Sequence, residues 1–72
     1  YKEYLNDILI LDCHYLNGNK DGFERKFNNK GEIIHEYIFK NGRRNGLCTE
    51  YKKNVIKSQC IYEKGKIIQQ II

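Results

Sequence analysis

The 72-residue sequence has no Met, no Pro and no Trp, and only three Cys. Translation begins on Met, so its absence predicts a chain that is processed or an excerpt of something longer. The three thiols, Cys13, Cys48 and Cys60, show no CxxC or Cys/His spacing, which removes the usual zinc-site patterns. They read as reduced thiols, which favours a cytoplasmic setting. Long hydrophobic runs are missing as well. The longest uncharged apolar stretch, Ile8 to Leu11, is far below the roughly 20 residues of a membrane-spanning helix. The sequence therefore predicts neither such a helix nor a secretory leader.

What is present excludes disorder. Six Tyr, three Phe and eleven Ile in a chain of this length do not fit a disordered segment, which is poor in aromatic and β-branched residues. A chain this short buries only about 60% of its unfolded surface, room for one small domain or part of a larger one. The formal net charge of +4 is unevenly spread. Residues 1–36 hold five Lys/Arg against seven Asp/Glu, while residues 37–72 hold eight against two. A basic second half favours an anionic partner such as an acidic protein, a lipid headgroup surface or nucleic acid, although lysine-rich exteriors also serve solubility.

An internal repeat organises the chain. The stretch from Tyr15 to Phe27 returns, shifted by 24, from Phe39 to Tyr51. Asn17 and Gly18 match Asn41 and Gly42, Gly22 matches Gly46, and Lys20 matches Arg44. With a shift of 23, Ile33, Ile38, Phe39 and Gly42 fall on Ile56, Ile61, Tyr62 and Gly65. About three copies result, 1–22, 23–46 and 47–72, the first starting inside a strand.

Each copy has the content of a β-hairpin. Phe23–Phe27 is a short strand, Asn28–Gly31 a turn, Glu32–Phe39 a longer strand rich in Ile, Tyr and Phe, and Lys40–Gly46 a connection. The pairs Asn17-Gly18, Asp21-Gly22, Asn41-Gly42 and Asn45-Gly46 suit positive φ, and their spacing of four predicts two tight bends per connection. No window between them is long enough for a helix. The expected fold is all-β, an antiparallel meander of about three hairpin repeats in one extended, curved sheet. Alternation places Ile33, Tyr37 and Phe39 with Phe23, Phe27, Leu47 and Tyr51 on an aromatic face. A polar face opposes it. Eight of the nine aromatics, all but Tyr1, lie in these repeating columns.

This pattern resembles the MORN repeat, in particular the bacterial variant of antitoxin components in toxin-antitoxin modules. The resemblance is carried by Tyr15, Asn17, Gly18, Lys20, Asp21, Gly22 and Phe27, and again by Phe39, Asn41, Gly42, Arg44, Asn45, Gly46 and Tyr51. It departs from the pattern where Phe23 and Leu47 stand in place of the common Trp, and after Gly65, where the basic residue and second Gly are lost. The resemblance implies a curved single sheet of hairpins and a role in protein contact or scaffolding. It does not imply catalysis.

No catalytic set stands out from the residues themselves. His14 shares a column with Ile38 and Ile61 and reads as a half-buried, hydrogen-bonded side chain. His35, in a column with Leu11 and Ser58, reads as unconstrained. Cys48 has no matching His for thiol catalysis. Cys13 and Cys60 share a column with Tyr37 and read as core-facing. Asp12 and Glu36 recur one repeat apart on what should be a flat face, not across the cleft a glycosidase pair needs. The glycines around Lys40–Gly46 are explained by turns, and no P-loop, cofactor motif or small-molecule site is present. The expected function is a non-enzymatic protein-protein interaction or scaffold module, antitoxin-like by resemblance. Its partner, a cognate toxin or its own copy, would meet the face around Ile34, Ile38 and Ile61, steered by Arg43, Arg44, Lys52, Lys53 and Lys57. Self-association would use the sheet edge near Lys66–Ile72. The alternative is peripheral binding to anionic lipid headgroups through the basic half. No exposed stacking platform favours nucleic acid.

Overall fold

The computed structural model describes residues 1–72 as one open antiparallel sheet, without a helix. Its strands are β1 (Lys2–Leu5), β2 (Ile8–Leu16), β3 (Asn19–Phe27), β4 (Ile33–Lys40), β5 (Arg43–Arg44), β6 (Gly46–Lys52), β7 (Val55–Glu63) and β8 (Lys66–Gln70). They run as a meander in the order β1-β2-β3-β4-β6-β7-β8, with the short β5 pairing with β4 just ahead of β6. The molecule measures 37 × 32 × 10 Å, one sheet thick.

Local chemistry explains the meander. Five connections are two-residue turns with positive φ at both positions: Asn6-Asp7, Asn17-Gly18, Asn41-Gly42, Lys53-Asn54 and Lys64-Gly65. Such turns match the right-handed twist of the strands they join. The remaining long connection, Asn28–Glu32, is closed by the Asn28 side chain, whose Oδ1 accepts the Lys30 and Glu32 amides. Turns at one end of the strands are also tied along the array. The Gly42 amide donates to the Lys20 carbonyl and the Gly65 amide to the Arg44 carbonyl, each at 2.9 Å. A Cβ on Gly42 would sit 3.8 Å from Asn19, and one on Gly65 would sit 3.8 Å from Arg43. The same device thus repeats one period apart.

The second glycine of each motif does something other than turn the chain. Gly22 lies within β3 and Gly46 opens β6, with φ of 97° and 116°. Across β2 and β3 the pairing jumps from Tyr15↔Lys20 to Cys13↔Glu24, and across β4 and β5/β6 from Phe39↔Arg44 to Glu36↔Thr49. Both jumps insert two extra residues, so Asp21-Gly22 and Asn45-Gly46 are bulges inside a strand. The expected second bend is corrected accordingly: the Asn-Gly pair ahead has already reversed the chain. The strand also starts earlier than expected, at Asn19 and not at Phe23.

The expected aromatic face is corrected too. Phe23 pairs with Ile38 and Glu24 pairs with Tyr37, so Phe23 and Tyr37 lie on opposite faces. The five-residue connection Asn28–Glu32 pairs odd Phe27 with odd Ile33, and the register shift between Lys26 and Phe27 then sets odd positions of β3 opposite even positions of β4. Without that shift Phe23 would stand opposite Tyr37. The aromatics are divided between the two faces.

A single sheet leaves little interior. Five of 72 residues are buried: Cys13, Glu24, Tyr37, Cys48 and Thr49. Four of them form one row across the middle of one face, as Cys13 pairs with Glu24, Glu24 with Tyr37, and Cys48 with half-buried Cys60. The core-facing reading of Cys13 and Cys60 agrees with this row.

Candidate interaction faces

The face that carries Tyr37 is a closed network of charge and aromatic rings. Glu24 pairs with Lys20 and accepts from His35 Nε2 at 3.0 Å. Burial opposes ionisation of Glu24, but the hydrogen bonds from Lys20 and His35 outweigh it and hold the carboxyl below its ordinary value. The His35 ring stacks on Tyr37 with centroids 3.8 Å apart. Tyr37 donates its hydroxyl to Glu50 at 2.8 Å. Burial first, then that hydrogen bond and the Glu50 charge, push its phenol up to about 12. On the other side of Tyr37, the Arg44 guanidinium lies 4.1 Å over the ring and donates to the Tyr62 hydroxyl at 2.9 Å. No buried polar side-chain atom lacks a partner.

His35 is therefore fixed on two sides, contrary to its reading as an unconstrained position. The signal lies in the pairing of β3 with β4, which brings Glu24 beside Tyr37 and its neighbour His35. Arg44, expected as a steering charge, is half-buried between two tyrosines. It holds the sheet together and is not a free cation.

The opposite face is built in rows. A polar ladder crosses its middle: Asp12 pairs with Arg25, Arg25 with Glu36, Glu36 with Thr49, and Thr49 with Gln59. Arg25 Nε donates to Glu36, and Gln59 donates to the Thr49 hydroxyl at 3.2 Å. Beside the ladder runs an apolar row, in which Phe23 pairs with Ile38 and Leu47 with Ile61. His14 joins this row, its ring 4.5 Å from Phe23. It is exposed, which corrects its reading as half-buried; nothing covers this face. Ile38 and Ile61 are thus brought together, half-buried, and Ile34 lies toward the other end of β4 with 37% of its surface exposed.

The basic residues do not form one patch. Lys40, Arg43 and Lys64 surround a shallow depression of about 750 Å³ at the Asn41-Gly42 and Lys64-Gly65 turns, which Asn45, Ile61 and Ile68 also line. Lys52, Lys53 and Lys57 stand at the opposite end of the strands, around the Lys53-Asn54 turn. Strand β8, the expected edge for self-association, is exposed along all five residues, and Ile71 and Ile72 follow it exposed. No group of three or more metal-ligating side chains converges anywhere.

No family model, curated protein or solved structure matches this chain.

Proposed function

We propose that this chain is a non-enzymatic β-repeat interaction module of the MORN-like kind, and that it binds another protein through the face bearing Phe23, Ile34, Ile38, Leu47 and Ile61. One observation carries the reading. These five side chains leave the same side of a sheet that has no second layer, whereas hydrophobic sheet faces are ordinarily covered. The opposite face is already occupied by its own ion pairs and stacked rings, so it offers a partner less unsatisfied surface. The polar ladder through Arg25 and Glu36 adds hydrogen-bonding groups beside the apolar row, an arrangement that favours a specific protein surface over a featureless one. An antitoxin-like partner choice rests on the repeat resemblance alone.

The experiment is capture of a partner on the full chain, its identification, and reconstitution from the two purified proteins. Ile38→Asp and Ile61→Asp are expected to abolish the reconstituted complex while leaving the circular dichroism spectrum unchanged. Binding unchanged in both folded variants, or a chain that is monomeric and captures nothing, overturns the reading.

A second reading has its own support in the depression lined by the three cations Lys40, Arg43 and Lys64 against the single carboxylate Glu63. It is peripheral binding to anionic lipid headgroups, each cation contributing ~1 kcal/mol near a charged surface. Sedimentation with acidic and neutral vesicles tests it. Equal binding to both, or none at low salt, rejects it.

A further inference from the structure

We propose that Cys48 and Cys60 form a reversible cross-strand disulfide by exchange with a low-molecular-weight disulfide of the glutathione type. Both are free thiols, and they stand directly opposite each other in the β6–β7 ladder. Directly opposed residues of an antiparallel pair point to the same face. Directly opposed Cα atoms stand ~5.5 Å apart in a hydrogen-bonded pair and ~4.5 Å in the other kind, both inside the ~4.4–6.8 Å that a disulfide spans. The register singles out this pair. Cys13 faces Glu24, and the strands β3 and β4 separate it from Cys48.

The bond would be a labile one. The backbone N–H and C=O of Gln59 are directed to Ile71 and Ile72, so those of the next residue, Cys60, turn the other way, toward β6. Cys48 and Cys60 are thus the wider, hydrogen-bonded kind of pair, whose side chains must be drawn together to close a bridge. Strained disulfides have more oxidising potentials and are the readily reduced, regulatory kind.

The two thiols differ in access, which orders the steps. Cys48 is 2% exposed, and burial pushes its thiol up against the opposing influence of the Ile38 amide and Arg44. Cys60 is half-buried and more accessible. The Cys60 thiolate attacks one sulfur of oxidised glutathione, forms a mixed disulfide and expels one glutathione thiolate, which takes up the proton Cys60 lost. The Cys48 thiolate then attacks the Cys60 sulfur, closes the cross-strand bond and expels the second glutathione. Two protein thiols are oxidised and one small disulfide is reduced to two thiols, so atoms and electrons balance.

The test equilibrates the full chain with excess oxidised glutathione in native buffer, followed by intact mass and peptide mapping. The expected product has lost two hydrogens, maps to a single Cys48–Cys60 cross-link, leaves Cys13 free, and reverts in excess reduced glutathione. Cys48→Ser is expected to retain one glutathionyl group on Cys60 as a mixed disulfide, with no intramolecular cross-link. Three outcomes overturn the proposal: thiols that all stay reduced, a wild-type chain that accumulates a glutathionyl group without closing, or cross-links that involve Cys13. Because the mapping is made on the wild-type chain, a Cys48 variant that fails to fold leaves the test decisive.

Discussion

The Arg44 guanidinium stacks 4.1 Å above the Tyr37 ring and donates a hydrogen bond to the Tyr62 hydroxyl, joining β4 and β7 across the strand between them. A planar cation does this where an ammonium cannot, because the stacked face and the donating edge act together. Arg44→Ala is expected to lower stability by about 1–2 kcal/mol, from the cation-π contact and the hydrogen bond. Arg44→Lys should recover only part of the loss. Urea denaturation followed by circular dichroism measures both, and full recovery by Lys would show that charge alone matters at this position.

Tyr37 makes the sheet sensitive to alkali. Its phenol ionises near 10 in the unfolded chain and is pushed up to about 12 in the fold. The unfolded state therefore releases its proton first as pH rises. The stabilising contribution is complete below pH 10 and is lost as the pH climbs through the folded value. Ultraviolet titration should show Tyr37 ionising late among the six tyrosines, with Tyr1 and Tyr15 also displaced upward. Tyr37→Phe should flatten the loss of stability in that window, at a cost near neutrality of about 0.5–1.5 kcal/mol for the hydrogen bond to Glu50.

The Lys53-Asn54 turn invites a stabilising change. Its residues sit at φ of 53° and 63°, a conformation that Lys tolerates poorly. The equivalent reversals elsewhere use Asn-Gly at 17–18 and 41–42. Replacing both residues, Lys53→Asn with Asn54→Gly, is expected to raise stability by roughly 0.5–1 kcal/mol, since the new pair favours positive φ at both positions. A lowered thermal midpoint would mean that the contacts given up, among them the hydrogen bond that Asn54 Nδ2 donates to Glu32 Oε2 at 3.4 Å, outweigh the turn preference.

Much of this architecture was legible in the residues, and the failures have physical causes. The Asn-Gly pairs at 17–18 and 41–42 marked true reversals, and the β-branched and aromatic runs between them marked strands. The same dipeptide chemistry at Asp21-Gly22 and Asn45-Gly46 reads as turns in the sequence because positive φ serves a bulge as well as a bend. The division of Phe23 from Tyr37 follows from the register shift between Lys26 and Phe27, which alternation within single strands does not contain. Arg44 reads as one more surface cation in any composition. Only the β4–β5 pairing that sets it opposite Phe39, on the face of Tyr37 and Tyr62, removes it from the solvated rim. On the candidate face, the grouping of Ile38 and Ile61 was visible as a repeat column. Alternation within single strands puts their apolar neighbours Phe23 and Leu47 on the other side.

The bulge glycines should be less replaceable than the turn glycines. Gly18 has φ of 82° and open space where a Cβ would stand, so Asn or Ala there meets only the modest strain of a left-handed residue. Gly46 has φ of 116°, well beyond the left-handed α region near ~+50 to +70° that Asn adopts. Its absent Cβ would stand 3.5 Å from Ile38, an ordinary contact, so the cost is backbone strain and not collision. Gly46→Ala is expected to cost about 1–3 kcal/mol, and Gly46→Asn should rescue none of it. Gly18→Asn should stay within about 1 kcal/mol of wild type. Thermal denaturation of the three variants measures the ordering. If Gly46→Asn matched Gly18→Asn, the residue would be occupying an ordinary left-handed turn, and the Asn45-Gly46 bulge that aligns Glu36 with Thr49 would lose its physical basis.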